Sequence, residues 1–224
     1  MGTLYVVATP IGNMKDITLR ALETLRSVDL ILAEDTRVTK KILLRYDIQK
    51  PIWRADARTE RAMGEKVAEE LKSGKNIAFV SDAGTPNVSD PGAALVAYLR
   101  EYNQNIRIEP IPGVSAITTL LSVAGIPADA FTFFGYPPHK KGRNTFFKKI
   151  AQSEIPVVLY ESPHRIEKTI ENIGEFFGKE KVFCVGRELT KIHEEIFHGT
   201  AEKALDHFKG ERKKGEFVII IPHD

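Results

Sequence analysis

Short apolar runs rich in β-branched residues alternate along the chain with segments of helical period. Runs at Leu4–Ala8, Leu30–Ala33, Ile77–Ser81 and Ile106–Ile111 predict strands in the first half of the chain. Runs at Phe131–Gly135, Val157–Tyr160, Val182–Val185, Glu195–His198 and Phe217–Ile221 predict strands in the second. Several are apolar throughout, the pattern of strands covered on both faces. Between them lie amphipathic helices: Leu19, Leu22, Leu25 and Val28 form one stripe, Met63, Val67 and Leu71 another, and Ile166, Ile170, Ile173 and Phe177 a third. Asp90 before Pro91 and Ser162 before Pro163 each offer a capping oxygen ahead of a proline at the first helical position.

Strands spaced by helices of this length argue for α/β architecture with mainly parallel sheets. The pair Val182–Glu188 and Glu195–Gly199, joined by a short polar stretch, reads instead as an antiparallel hairpin. Glu109, Pro112 and Gly113 mark the boundary between two α/β domains, residues 1–112 and 113–224. The charge run from Lys209 to Glu216 reads as a solvated turn before the last strand.

Composition narrows the function classes. A net charge of +2 is far from that of a protein that coats nucleic acid by charge alone. With 42% hydrophobic and 28% charged residues the chain has the makings of an ordinary folded core. No apolar run approaches the ~18–20 residues that cross a bilayer, so no membrane partner is expected. The opening MGTLYVVATP has neither a basic n-region nor a long apolar stretch, and no secretory signal is expected. One cysteine, Cys184, can form neither an internal disulfide nor a thiolate cage, which points to a reducing, cytoplasmic location.

The chemistry-bearing residues fall at predicted strand exits, where α/β folds bind ligands. Ser81 to Gly92 reads SDAGTPNVSDPG; Gly84 lets a ligand approach the backbone, and Asp82 offers acceptors to hydroxyls or amines. Thr9-Pro10-Ile11-Gly12-Asn13 follows the first strand without a nucleotide-binding glycine signature, and Ser115 of Pro112–Ala116 can cap the helix that starts there. A plain strand-to-helix turn or a cap explains each of these two loops as readily as a ligand does. Glu161-Ser-Pro-His-Arg165 and Gly186–Lys191 add acids and bases after later strands. Ala33-Glu34-Asp35-Thr36-Arg37 carries paired acids that serve equally as bases or as a helix N-terminus. The six histidines show no metal-ligand spacing and no GxSxG occurs, so neither a metal nor a serine-hydrolase site is expected. Cys184, among apolar neighbours, reads as core.

Taken in order, LYVVATPIGN, DLILAEDTR, SDAGTPNVSDPG, PGVSA, the FxFxGYPP stretch from Phe131, ESPHR, RELTK and GEFVIII resemble the ribosomal RNA small subunit methyltransferase I family of the tetrapyrrole methylase superfamily. The likeness spans essentially the whole chain. It implies two α/β domains with S-adenosylmethionine in the cleft between them, a homodimer, and 2′-O-methylation of a cytidine in the decoding centre of 16S rRNA. Longer members of the family continue past GEFVIIIPHD into a small helical region. By resemblance Thr9, Pro10, Asp82, Gly84, Thr85, Ser115 and Ala116 line the donor pocket. Leu189, Tyr160 or Glu161, and Glu216 or Phe217 are further assignments from the second domain.

The residues agree with this implication. A zwitterionic, cationic donor needs backbone amides and carbonyls more than a lysine clamp, and no lysine occurs in the first three loops. A ribose hydroxyl is a poor nucleophile, so a base is expected; Glu34, Asp35, Glu161 and Glu188 are candidates. Contact with 16S rRNA or the 30S subunit must come from local patches. Lys140, Lys141 and Arg143, beside Tyr136, Phe146 and Phe147, combine charge with stacking rings, although a solvated loop over core phenylalanines fits equally. Arg37, Arg165, Arg187 and Lys191 are the other cationic candidates. The alternatives are methylation of a tetrapyrrole or a protein, and a non-catalytic RNA- or ribosome-binding module.

Overall fold

The computed structural model describes residues 1–56 and 60–223, with side chains of residues 60–62 left aside. It divides into two compact units, Met1–Ser115 and Ala116–Asp224. The first unit holds strands β1 (Thr3–Val7), β2 (Leu30–Ala33), β3 (Ile52–Arg54), β4 (Ile77–Val80) and β5 (Arg107–Ile111). Its helices are α1 (Leu19–Ser27), α2 (Thr36–Arg45), α3 (Glu60–Lys72) and α4 (Ala93–Tyr102). The second unit holds α5 (Ala116–Leu121), β6 (Thr132–Phe133), α6 (Arg143–Ile150), β7 (Val157–Glu161), α7 (Ile166–Phe176), β8 (Phe183–Arg187), β9 (Glu195–Gly199), α8 (Ala201–His207) and β10 (Phe217–Ile221).

The first sheet has order β3-β2-β4-β1-β5 and every pairing in it is parallel. Alternation along the strands builds two cores. Leu4, Leu30, Leu32, Ile77 and Phe79 meet Val67, Leu71, Leu95 and Leu99 of α3 and α4 on one face. Val7, Ile31, Ala33, Ala78 and Val80 meet Leu22, Leu25 and Leu43 of α1 and α2 on the other. Burial on both faces is why these strands read as unbroken apolar runs.

The second sheet has order β6-β7-β10-β8-β9. Only β6 with β7 is parallel there; β7 with β10, β10 with β8 and β8 with β9 are antiparallel. Mainly parallel pairing therefore describes the first unit and not the second. The reason is the last strand: Phe217–Ile221, buried along its length, enters between β7 and β8 with opposite direction to both. An apolar run carries no sign of its direction, so periodicity alone could not have revealed this. The predicted β8–β9 hairpin is present. Helices α6, α7 and α8 cover one face through Phe147, Ile150, Ile170, Ile173 and Ala204.

Four local features differ from the expectations. Strand β3, three half-exposed or exposed residues at the sheet edge, is too short to give a periodic signal. Helix α4 begins at Ala93 after Gly92, not at the Asp90–Pro91 pair, because Gly92 has φ +123° and breaks the helical path there. Helix α7 begins at Ile166; the Ser162 carbonyl accepts from the Arg165 and Ile166 N–H groups at 3.1 Å in a preceding turn. Leu19, placed on the first apolar stripe, is 78% exposed, whereas Leu22, Leu25 and Val28 are buried.

Gly92 is also the tightest position in its loop. A Cβ there would collide with the buried ring of Phe79 and with Asn87 Oδ1. Gly92→Ala is expected to cost about 2 kcal/mol or more, read as a lowered midpoint in thermal denaturation followed by circular dichroism.

Candidate functional site

Because the first sheet is wholly parallel, its carboxyl ends share one edge. Along that edge the chain leaves β3 at Ala55 and Asp56, β2 at Glu34 and Asp35, β4 at Ser81 and Asp82, β1 at Ala8 and Thr9, and β5 at Pro112 and Gly113. The helix after β1 packs in the core of one face and the helix after β4 in that of the other. Neighbouring strands whose connections depart to opposite faces open a crevice at their carboxyl ends, the usual ligand position in such sheets.

Backbone bonds join the exits of β4 and β1. The Thr9 N–H donates to the Gly84 carbonyl at 2.9 Å, and the Gly84 N–H donates to the Thr9 carbonyl at 3.0 Å. The Thr9 Oγ1 donates to the Ser81 carbonyl at 3.1 Å, and the Ser81 hydroxyl donates to the Gly84 carbonyl at 3.0 Å. Gly84 has φ +78°, a conformation that a side chain would strain. On the other side of β1, Gly113 lies so close to Ala8 that an added Cβ would sit 2.8 Å from the Ala8 Cβ. The Ala8 N–H donates to the Ile111 carbonyl at 3.0 Å.

Thr9, Pro10, Asp82, Gly84 and Thr85 therefore stand on one edge of one sheet, with Ser115 two residues beyond Gly113. Ala116 opens α5 of the second unit, and Leu189, buried beside Gly186, also belongs there. Ser81, the first residue of the SDAGTP motif, was given no role from the sequence, yet its hydroxyl closes the loop.

Acids line the rest of the edge. Asp35 caps α2 by accepting from the Arg37 N–H at 2.9 Å, and its carboxylate pairs with the Arg37 guanidinium, which holds its pKa far below the usual range. Asp82 accepts from the Asp35 N–H at 3.0 Å; burial pushes its pKa up and outweighs that bond. Glu34 is raised by burial first, then by the Asp82, Asp56 and Asp35 carboxylates. A cationic ligand would be favoured here and an anionic one opposed.

In the second unit the candidate acids and bases are mostly spent on one another. Glu161 is fully buried: its carboxylate accepts from the Thr169 hydroxyl at 2.6 Å and the Ser162 N–H at 2.7 Å, and pairs with Arg165 at 3.0 Å. Arg143 is 6% exposed and donates to Asn172 Oδ1 at 2.8 Å, Thr169 Oγ1 at 2.5 Å and the Pro138 carbonyl at 3.0 Å. Arg187 donates to the carbonyls of Lys214, His193 and Glu211. Expected on an RNA-facing surface, Arg143 and Arg187 instead hold the interior together, because a buried guanidinium must meet acceptors in the protein. Lys191 pairs with Glu188 and Glu216, both at 2.8 Å. Burial works against both charges of the Glu188–Lys191 pair, yet their bonds prevail, lowering the Glu188 pKa and raising that of Lys191. Glu188 and Thr190 sit at φ +49° and +67°, uncommon for residues with side chains.

Lys140, Lys141 and Arg37 are exposed. Phe147 is core and Phe146 packs against it, so the stacking role expected of that pair does not fit; Tyr136, 49% exposed, keeps it. Cys184 is buried, with its thiol pushed up to about 11 by burial. Thr169 and Asn172 had no place in the sequence reading. Their signal was there, as polar residues on the inward face of α7.

The family model for Tetrapyrrole (Corrin/Porphyrin) Methylases matches residues 3–205. Ribosomal RNA small subunit methyltransferase I of Thermotoga maritima is 42% identical over 221 residues, which is 99% of this chain and 98% of that protein. The chain belongs to the ribosomal RNA small subunit methyltransferase I family, within the tetrapyrrole methylases. The Bacillus subtilis protein of the same name is 40% identical, with 99% of this chain matching 75% of its length. Among solved structures, diphthine synthase superposes with a TM-score of 0.77 at 15% identity, covering 99% of this chain and 90% of that one. Cobalt precorrin-4 methyltransferase gives 0.73 at 16% identity, covering 97% and 94%. These two likenesses speak for the fold, which this methyltransferase family shares. Among the described residues, no helix is long and apolar enough to cross a membrane.

The environment of Glu34 has a measurable sign. A carboxylate whose pKa is raised on folding costs stability above that raised value, and the cost disappears as pH falls to the ordinary carboxylate range. Glu34→Gln is expected to raise the thermal midpoint at pH 7. The gain should vanish near pH 4, where calorimetric melting curves of the two proteins should coincide.

Proposed function

We propose that the protein transfers the methyl group of S-adenosylmethionine to the 2′-hydroxyl of a cytidine in the decoding centre of 16S rRNA, acting as a homodimer on the small ribosomal subunit. One observation supports the donor half above all others: the reciprocal Thr9–Gly84 bridge, which joins the β1 and β4 exits beside Asp82. The substrate half is supported by relatives across 98–99% of this chain that carry the name ribosomal RNA small subunit methyltransferase I.

The residues present suit the donor. Gly84 leaves its backbone bare of a side chain, the Asp82 carboxylate can accept from hydroxyl or amino groups, and the acidic edge favours a sulfonium. The bound donor supplies an electrophilic methyl carbon and leaves as the neutral thioether. The chain contributes placement, since in-line approach of the ribose oxygen to that carbon accounts for much of the rate. It also supplies an acceptor for the hydroxyl proton. Of the four candidates, Asp35, Glu161 and Glu188 are tied up in ion pairs with Arg37, Arg165 and Lys191. Glu34 has its pKa moved upward, towards the range of an effective base, and we assign it that role. Lys140 and Lys141 are left as phosphate-contacting groups, Arg37 being paired with Asp35.

Purified protein incubated with methyl-labelled donor and 30S particles should place label in 16S rRNA, recovered as 2′-O-methylcytidine on nucleoside mass spectrometry. Label confined to a tetrapyrrole or to protein would overturn the substrate assignment. Absence of any heat with S-adenosylhomocysteine would favour a non-catalytic binding module. Asp82→Ala should weaken S-adenosylhomocysteine binding at least tenfold by calorimetry while the circular dichroism spectrum stays the same; unchanged affinity would misplace the pocket. Light scattering should return twice the chain mass.

A further inference from the structure

The loop between β6 and α6 begins Gly135-Tyr136-Pro137-Pro138 and continues through the exposed His139, Lys140 and Lys141. Its two prolines have no N–H to donate, so the loop offers mainly carbonyls for attachment. Each proline carbonyl is taken by a different arginine. The Arg165 guanidinium donates to the Pro137 carbonyl at 2.9 Å, and that of Arg143 donates to the Pro138 carbonyl at 3.0 Å. Arginine carries donors only, in a rigid fork, so it can grip such a carbonyl while its other nitrogens are held elsewhere.

The two arginines are joined beneath the loop. Thr169 Oγ1 accepts from Arg143 at 2.5 Å and donates to Glu161 at 2.6 Å, and Glu161 pairs with Arg165 at 3.0 Å. Asn172 fixes the far side of Arg143 at 2.8 Å, and Ser162 Oγ accepts from Arg165 Nε at 3.2 Å. The network ties the start of α6, through Arg143, to β7 and α7 within the second unit. The Arg165 guanidinium also lies over the Tyr136 ring, 5.8 Å from its centroid, and the Tyr160 ring is 5.6 Å away. Tyr136 is thus braced from within the protein yet 49% exposed to solvent.

We propose that Arg143–Thr169–Glu161–Arg165 is a positioning brace that presents Tyr136 with Lys140 and Lys141 as a surface for a single-stranded segment of the RNA substrate, one base stacking on the tyrosine ring and the lysines meeting phosphates. This rests on the rRNA reading above and deepens it. An exposed aromatic beside cationic side chains is the arrangement that unpaired nucleotides recognise, whereas duplex RNA offers no free base face. The brace removes the entropy that a glycine- and proline-containing loop would otherwise lose on binding. It also gives Glu161 and the two arginines a role as positioning residues, distinct from proton transfer or direct RNA contact.

The test uses full-length protein and 30S particles or 16S rRNA. In the surface variant Tyr136→Ala/Lys140→Ala/Lys141→Ala, the KM for the RNA substrate should rise about tenfold or more. The slope of log affinity against log salt should fall by about 0.7–0.9 per lost phosphate contact. Calorimetric affinity for S-adenosylhomocysteine should not move. Tyr136→Phe, which keeps the ring, should restore most of the KM when placed in the lysine-intact protein. Thr169→Val cuts the brace with little change of shape and should raise the RNA KM in the same direction, again without moving donor affinity. An RNA KM within twofold of wild type in the triple variant, with methylation of rRNA intact, overturns the surface. An equal loss of donor affinity in Thr169→Val overturns the brace as a local device. Wild-type protein that labels no rRNA overturns the functional reading itself, and the surface with it.

Discussion

Parallel strands end with backbone donors and acceptors that the sheet no longer satisfies, and burying such groups unpaired costs about 1–3 kcal/mol each. In this protein that constraint is met at the β4 and β1 exits by Thr9 and Gly84, which exchange both backbone bonds across neighbouring loops. The arrangement needs Gly84 at φ +78°, and it draws in the Thr9 and Ser81 hydroxyls to fill the remaining valences. Once this is closed, the position of Asp82 follows, and through the Asp35 N–H so does the start of α2. The candidate donor edge is therefore a by-product of satisfying backbone polarity, with function layered on a structural necessity.

The same logic operates in the second unit with side chains in place of backbone. Fully burying Glu161 would be prohibitive if the carboxylate stood alone. Thr169, Ser162 and Arg165 satisfy it, and Arg143 completes the chain of contacts. Such a network stabilises little beyond its own desolvation cost. What it supplies is definition: two proline carbonyls have one place to be. Rigidity there and accumulated negative charge in the first unit are complementary demands of a reaction that joins a cationic donor to a polyanionic acceptor.

In its proposed role as base, Glu34 sets stability against activity. Its carboxylate is surrounded by Asp82, Asp56 and Asp35 and partly withdrawn from water, an arrangement that costs folding free energy. Sites where a protein tolerates such a cost are where chemistry is concentrated. The positive-φ backbone of Glu188 and Thr190 in the RELTK segment is accompanied by a Lys191–Glu188 ion pair.

The elements and the order of the motifs were legible in the amino-acid sequence. Nine of the ten strands among the described residues, most of the α1 stripe, the stripes of α3 and α7, and the loops that cluster on the first sheet were readable, because burial imposes a period that each residue carries individually. Family membership followed from the motifs. Strand direction in the second sheet came from the folded chain alone, since β10 is apolar along its whole length and reads the same whichever way it runs. The folded chain alone also decided which charges are available. Arg143 and Lys141 are two residues apart and alike in charge, yet one is locked to Asn172 and Thr169 while the other faces solvent. The partners that separate them lie 29 and 26 residues away along the chain, and no local pattern records a partner at that distance.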